Sequence, residues 1–158
     1  MKNSEVIPSR SEPDRADRGA ASSLELSHPT EKYLKCVIFA QEKKAEDIVV
    51  LDMQSVSSSY TDYCMICSGN STRQVQAIAD SIELNLKREG IYPLGIEGYN
   101  VGEWVLVDYG DVVVHIFLAE NRRYYDLEGL WADRPRIDFS REIEQALSCG
   151  STSFASGG

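Results

Sequence analysis

Two stretches of the chain carry apolar residues at the three- and four-residue spacing of an amphipathic helix. The first follows His28-Pro29-Thr30, where proline suits the first helical turn. The second follows Ser71-Thr72-Arg73-Gln74, a pattern typical of a capping box, and Gly90 is predicted to end it. Their apolar positions are Leu34, Val37 and Ile38 in the first stretch, and Val75, Ile78, Ala79, Ile82 and Leu86 in the second. The spacing predicts two helices, each with one buried face.

Shorter apolar runs bounded by turn residues predict strands. Asp47–Met53 is a continuous apolar run of the kind that forms a buried strand, and Tyr60–Ser68 is a second strand. Pro93 interrupts Ile91–Glu97, so this segment is predicted to be an edge strand or an extended segment.

The densest strand pattern runs from Trp104 to Phe117 around the turn Asp108-Tyr109-Gly110-Asp111. A two-residue loop would pair position 108 with 111, 106 with 113, and Trp104 with His115. The alternative is a bulged loop with the glycine left-handed, because tyrosine disfavours positive φ. In the two-residue register one face is wholly aliphatic, with Val105, Val107, Val112, Val114 and Ile116. The other face holds Trp104, Leu106, Asp108, Asp111, Val113, His115 and Phe117.

The rest of the chain completes the predicted organisation. Glu120–Leu130 is predicted to be a helix with Tyr124, Leu127 and Leu130 turned inward, and Trp131–Ile137 is irregular. The order of elements predicts an α+β fold, with a mixed sheet of about five strands flanked by helices. Residues 28–137 form the predicted domain. Residues 1–27 are predicted to be a disordered tail, and residues 138–158 a short amphipathic segment followed by a flexible tail.

Charge narrows the classes of partner. The 158 residues carry a formal net charge of -9. Residues 1–23 hold equal numbers of basic and acidic residues, so the whole excess of negative charge lies in the rest of the chain. Such a domain repels nucleic-acid backbones, and little direct nucleic-acid contact is expected; a basic protein surface is the better partner. The absence of an apolar run of ~20 residues excludes a membrane span, so a soluble, cytoplasmic protein is expected.

Candidate catalytic and metal-binding residues are few, and each has a structural interpretation. Cys64-Met-Ile-Cys67 matches a redox or zinc motif, but on a strand its two thiols point to opposite faces, which favours structural cysteines. Asp108 and Asp111 could hold a metal, although aspartates beside a turn more often cap the backbone. His115 could be a general base, although a buried histidine with one hydrogen bond is favoured. The sequence predicts no metal and no cofactor.

Aromatic residues suggest a binding surface instead. Trp104 begins a strand after a loop, where large aromatic side chains are often partly exposed, and tryptophan and tyrosine often anchor protein interfaces. The predicted aromatic patch comprises Tyr99, Trp104, Tyr124, Tyr125 and Trp131. The alternative, that these residues line the rim of the core, stays equally open on physical grounds.

Several motifs together resemble one protein family. They are D-x-x-x-L-D at Asp47–Asp52, the S-S-x-T/S-D region at Ser58–Asp62, P-L-G-x-E-G at Pro93–Gly98, W-V-x-x-D-x-G-D-V-x-V-H at Trp104–His115 and Y-x-L-E-x-L-W at Tyr125–Trp131. This combination resembles the ribosomal silencing factor family, RsfS or Iojap, over residues 30–137. The resemblance implies an α/β domain similar to nucleotidyltransferases but without their catalytic motifs, and a protein that is not an enzyme.

The resemblance also implies a partner and a site. Family members bind large-subunit ribosomal protein fourteen (uL-fourteen) and sterically prevent the small ribosomal subunit from joining the large one. The motif residues associated with that contact correspond here to Trp104 and Tyr125. Neighbouring motif positions, which are weaker candidates, are Glu97, Asp111, His115 and Arg123.

Two alternatives stay open from the residues. An active nucleotidyltransferase needs paired carboxylates on a strand to hold metal ions, and the only Asp-x-Asp/Glu pattern is Asp126-Leu127-Glu128, in a predicted helix. Gly69-Asn70 also departs from the Gly-Ser form of that class of enzyme. The other alternative is a homodimer in which the aromatic patch pairs with itself.

Overall fold

A computed structural model describes the backbone of residues 29–55 and 59–149, and the side chains of residues 31–55 and 59–145. The helices are α1 (Pro29–Glu42), α2 (Thr72–Lys87), α3 (Ala119–Tyr125), α4 (Leu127–Leu130) and α5 (Phe139–Cys149). The strands are β1 (Glu46–Asp52), β2 (Tyr63–Gly69), β3 (Gly95–Glu97), β4 (Trp104–Asp108) and β5 (Val112–Leu118). The predictions of a disordered tail over 1–27 and of a flexible end lie outside the described residues. Among those described, no helix is long and apolar enough to cross a membrane.

One mixed sheet contains all five of these strands, in the order β1-β2-β5-β4-β3. Only the pairing of β2 with β5 is parallel, and the other three pairings are antiparallel. All seven residues of β2 are buried, because this inner strand lies between β1 and β5 and has helices packed on both of its faces. The predicted α+β fold with a mixed, helix-flanked sheet is confirmed.

Helices α1, α2 and α5 cover one face of the sheet, which we call the helix-covered face. The aliphatic side of the β4–β5 hairpin packs into the core there, as the sequence predicts. Helix α2 begins as predicted, because Ser71 Oγ accepts a hydrogen bond from the Gln74 backbone N–H at 3.1 Å. The Gln74 side chain caps the Asn70 N–H at 2.7 Å rather than that of Ser71. Gly90, with φ of +81°, follows the helix end.

The predicted register of the hairpin is wrong by two residues. Trp104 pairs with Phe117, and His115 pairs with Leu106. The Tyr109 N–H donates to the Val112 carbonyl at 2.9 Å, so the loop moves one position along the chain. Gly110 takes φ of +87° within this loop, which spares the tyrosine a positive φ. A shift of two residues keeps every side chain on its face, so the aliphatic face is nevertheless as predicted.

Three predicted strands have different bounds or surroundings. The predicted buried strand forms β1 at one edge of the sheet, and several of its residues are partly or fully exposed. Residues 135–137 run along β1, where the Ile137 N–H donates to the Val50 carbonyl at 2.8 Å. Strand β2 begins at Tyr63 rather than at Tyr60. The segment with Pro93 does lie at the other edge, but only Gly95–Glu97 forms a strand.

The predicted helix over residues 120–130 is wrong in one respect, because it is broken at Asp126. This residue has left-handed backbone angles, φ 46° and ψ 54°, and its carboxylate caps the next helix through the Gly129 N–H. The break changes which side chains turn inward. Tyr124 is 81% exposed and Leu130 is 70% exposed, and Arg122 is the buried residue of α3. The predicted short amphipathic segment after residue 137 forms the helix α5 (Phe139–Cys149).

Candidate protein-binding surface

The second face of the sheet is covered only in part, by α3 and α4. A small core lies beneath these helices, with Leu51, Met53, Cys64, Ile66 and Phe117 buried in it. Trp104, Leu127 and Trp131 pack on that core and stay partly accessible. Apolar groups are therefore fixed in place by the core and yet face outward, which is the arrangement of an interface anchor.

Aromatic side chains from the β4–β5 hairpin and from the segment that follows it meet on this second face. The Trp104 ring stacks on Phe117 with centroids 4.8 Å apart, and the Tyr125 ring lies at the same 4.8 Å from Trp104. Tyr124 contacts Tyr125 edge to face at 5.0 Å. We call the aromatic cluster the group of Trp104, His115, Phe117, Tyr124, Tyr125 and Trp131. Offset and edge-on contacts of this kind favour a defined arrangement of rings.

His115 lies at the centre of the aromatic cluster. Its side chain is the diagonal cross-strand neighbour of Trp104 in the β4–β5 pair. The Trp104 indole Nε1–H donates to the His115 imidazole Nδ1 at 3.1 Å. Because an indole nitrogen can only donate, Nδ1 is the acceptor and the neutral ring carries its proton on Nε2. Burial lowers the pKa of His115 to about 4, against a smaller opposing effect of Asp108. The histidine is thus neutral at physiological pH and orients Trp104.

Two depressions border the aromatic cluster. A cleft of about 410 Å³ lies between the loop before β2, the middle of the sheet and Trp131, and its lining is mostly apolar. A shallower depression of about 310 Å³ lies beside Trp104, with Glu97 on its rim. His115 and Leu106 line both. Together they form a continuous surface that could receive apolar side chains, with a carboxylate at one edge.

Arg122 links α3 to α4 and to strand β2, and the sequence interpretation missed it. Its Nε and one terminal nitrogen donate to the two carboxylate oxygens of Glu128, each at 2.9 Å. The other terminal nitrogen donates to Ser68 Oγ at 2.8 Å. The Arg122 hydrogen bond holds the pKa of Glu128 below its usual range. A sequence signal existed, since Arg122 lies four positions after the apolar Leu118, which places both residues on one side of a helical turn.

The structure brings some of the predicted site residues together and leaves others apart. Trp104, Tyr125 and His115 meet in the aromatic cluster, and Glu97 borders it. Asp111 instead binds Lys32 of α1 through both carboxylate oxygens, at 2.8 and 3.1 Å. Arg123 is exposed and lines a separate polar cleft.

Tyr99 does not belong to the aromatic cluster, although the predicted patch includes it. It packs against the core of the helix-covered face, and its hydroxyl donates to Asp80 of α2 at 3.0 Å. Tyr99 and Trp104 therefore pack on different cores, on opposite faces of the sheet.

The groups considered for catalysis have other partners. Asp126 caps the Gly129 N–H, and Glu128 is ion-paired with Arg122. Asp108 accepts from the Gly110 N–H at 2.8 Å, as the capping interpretation predicts. Cys64 and Cys67 lie in the cores of opposite faces, as predicted, and burial raises the pKa of each thiol to about 12. Within residues 31–55 and 59–145, no group of three or more His, Cys, Asp or Glu side chains could hold a metal ion.

The fold and the site together define an α+β binding domain. Its accessible feature is the aromatic cluster on the partly covered second face of the sheet. Residues 26–153 match the protein family described as "Ribosomal silencing factor during starvation". The chain therefore belongs to the ribosomal silencing factor family. Members of this family regulate translation in association with the ribosome and are regulatory proteins rather than known enzymes.

Individual relatives agree with this assignment. The chain is 48% identical over 104 residues to the ribosomal silencing factor of Bacillus subtilis, and the aligned region covers 66% of this chain and 87% of that protein. It is 36% identical over 110 residues to a Mus musculus protein named mitochondrial assembly of ribosomal large subunit protein 1, covering 68% of this chain and 48% of the mouse protein. A crystal structure of a Chromobacterium violaceum protein superposes with a TM-score of 0.64 at 40% identity, covering 66% of this chain and 87% of the other.

Proposed function

We propose that this chain is a cytoplasmic translation repressor that binds large-subunit ribosomal protein fourteen (uL-fourteen) and sterically blocks joining of the small ribosomal subunit. The contact between Trp104 and Tyr125 carries the proposal. These are the two residues that the family resemblance associates with the partner, and their rings lie 4.8 Å apart on an accessible surface. Tyr125 is 48% exposed, so a partner can reach it without unfolding the domain.

Charge supports a protein partner rather than RNA. With a net charge of -9 the chain would be repelled by rRNA phosphates and attracted by a basic ribosomal protein. Glu97 is exposed at the rim of the depression beside Trp104, where it can meet a lysine or arginine of the partner. Such rim charges act chiefly on the rate of association.

The name of one relative supports the large ribosomal subunit as the particle that is bound. The mouse relative is named for assembly of the ribosomal large subunit. A protein bound on the face of the large subunit that meets the small one prevents joining by occupying the space, and this requires no catalytic group.

The proposal is tested by binding of the pure protein to separated ribosomal subunits. Wild type should sediment with the large subunit and reduce the yield of joined ribosomes when small subunits are added. Trp104→Ala should weaken binding by ~30- to 1000-fold, because truncation of an interface tryptophan costs ~2–4 kcal/mol. Tyr92→Ala is the matched control, since Tyr92 is an exposed aromatic residue that lies beside Lys87 of α2 instead.

Three outcomes would contradict the proposal or part of it. Failure of the wild type to bind large subunits would refute the function. Retained binding by Trp104→Ala would remove Trp104 from the interface. A homodimer that forms in wild type but not in Trp104→Ala, and that competes with binding of large subunits, would show that the aromatic cluster pairs with itself. Sizing each protein with and without large subunits measures this.

A further inference from the structure

The position of Tyr125 is not fixed by a continuous helix. Tyr125 is the last residue of α3, and the left-handed Asp126 separates it from α4. Arg122 is the buried residue of α3, and α4 has no buried residue. A segment with so little buried apolar surface needs another contact to hold it in one orientation.

Arg122 supplies that contact through three directed hydrogen bonds. Two of them form a bidentate pair with Glu128 of α4, so the guanidinium spans the break at Asp126. The third goes to Ser68, one of the fully buried positions of β2. Because the guanidinium is rigid and planar, these bonds fix the orientation of both helices relative to the sheet.

Apolar contacts alone would not give the same result. Leu127 and Trp131 also rest on the second face, but only partly buried. Apolar attraction is non-directional, so these residues keep the segment close to the sheet without fixing its rotation. Rotation matters here, because Tyr125 must face Trp104 while Tyr124, its neighbour in the chain, is 81% exposed.

We propose that Arg122, with Glu128 and Ser68, is the positioning group of the binding surface: it holds Tyr125 against Trp104 in the free protein. The ribosomal partner then meets a preformed surface and need not order the α3–α4 segment on binding. This inference rests on the proposed function for its effect on affinity, but not for its effect on the free protein.

The test replaces the bidentate pair without leaving a buried charge. Arg122→Met combined with Glu128→Gln removes both charges, and such a replacement is often close to neutral for stability. A Trp131→Phe background leaves Trp104 as the only tryptophan, since the chain has two. The matched control is Lys35→Met with Glu89→Gln, which removes an ion pair between α1 and the turn that follows α2.

Two measurements separate positioning from stability. Acrylamide quenching of Trp104 fluorescence in the free protein should increase in the Arg122/Glu128 variant, and large-subunit affinity should fall by about tenfold or more. The control variant should change neither quantity. Ser68→Ala keeps the ion pair and removes only the link to β2, so it should show a smaller change of the same sign. It also decides the question if the double variant does not fold.

Unchanged quenching in a folded variant would overturn the inference, because Tyr125 would then stay on Trp104 without Arg122. If the Arg122/Glu128 variant shows increased quenching but binds large subunits with wild-type affinity, the positioning of Tyr125 does not contribute to binding, and that part of the inference is overturned. If wild type itself fails to bind large subunits, the proposed function fails, while the quenching experiment still decides whether Arg122 positions Tyr125.

Discussion

Acidification should destabilise this domain through His115. The residue is 8% exposed, and its neutral ring accepts a hydrogen bond from Trp104 at Nδ1. The second proton would go to Nδ1, where it would oppose the indole N–H and place a charge in an apolar surrounding. The folded protein therefore resists protonation that the unfolded chain accepts.

The magnitude follows from the two pKa values. Histidine in an unfolded chain titrates near its ordinary value of 6.5, and burial lowers the pKa of His115 in the fold to about 4. Between these values the unfolded state binds more protons, so stability rises with pH, is complete above 6.5 and is lost as pH falls toward 4. From about pH 7.5 to about pH 5 the loss is ~2 kcal/mol. In urea this corresponds to a midpoint lower by ~1 M.

Urea unfolding of wild type and His115→Asn at several pH values measures this effect. The Asn Oδ1 can take the place of Nδ1 as the acceptor for Trp104 but does not titrate. Carboxylates contribute to the pH dependence of both proteins. The difference between the two slopes of unfolding free energy against pH therefore isolates the contribution of His115. Equal slopes between about pH 7 and about pH 5 would show that His115 does not titrate abnormally and would refute the reasoning.

Two further predictions concern the framework of the site. Gly98→Ala should lower stability by at least ~1–2 kcal/mol, because Gly98 has φ of +80° and an added Cβ would lie 2.1 Å from the Trp104 carbonyl oxygen. Gly95→Ala, which meets nothing within 4 Å, should leave the urea midpoint nearly unchanged, and similar losses in both variants would contradict this explanation. Thiol reagents at about pH 8 should modify three buried cysteines only as fast as the fold opens, because burial raises the pKa of each thiol to about 12. Peptide mapping after labelling would refute this if native and urea-unfolded protein reacted equally fast at Cys36, Cys64 and Cys67.

Local periodicity determined a large part of the fold. Helix α2 was predictable because its apolar spacing, its Ser71 cap and its terminal glycine all agree. The opposite burial of Cys64 and Cys67 followed from strand alternation, since residues three apart point to different faces. Properties of this kind depend on neighbours in the chain, and the chain therefore encodes them directly.

Hairpin register needed the tertiary structure. A one-residue slip mixes apolar and polar faces, so the pattern excludes it, but a two-residue slip leaves every side chain on the same face. The sequence therefore gives the face of Trp104 correctly and its partner wrongly. The break at Asp126 was equally hidden, because its left-handed conformation depends on the cap it gives to the Gly129 N–H.

The proposed binding surface also depends partly on sequence pattern and partly on tertiary structure. The sequence by itself determined the aliphatic side of the hairpin and, through its family motifs, singled out Trp104 and Tyr125. Only the tertiary structure decided that these rings touch, that Tyr99 lies elsewhere and that Arg122 reaches Ser68 and Glu128. The physical reason is that a hydrophobic pattern selects which side of an element is buried, whereas directed contacts between distant residues are fixed only when the elements pack together.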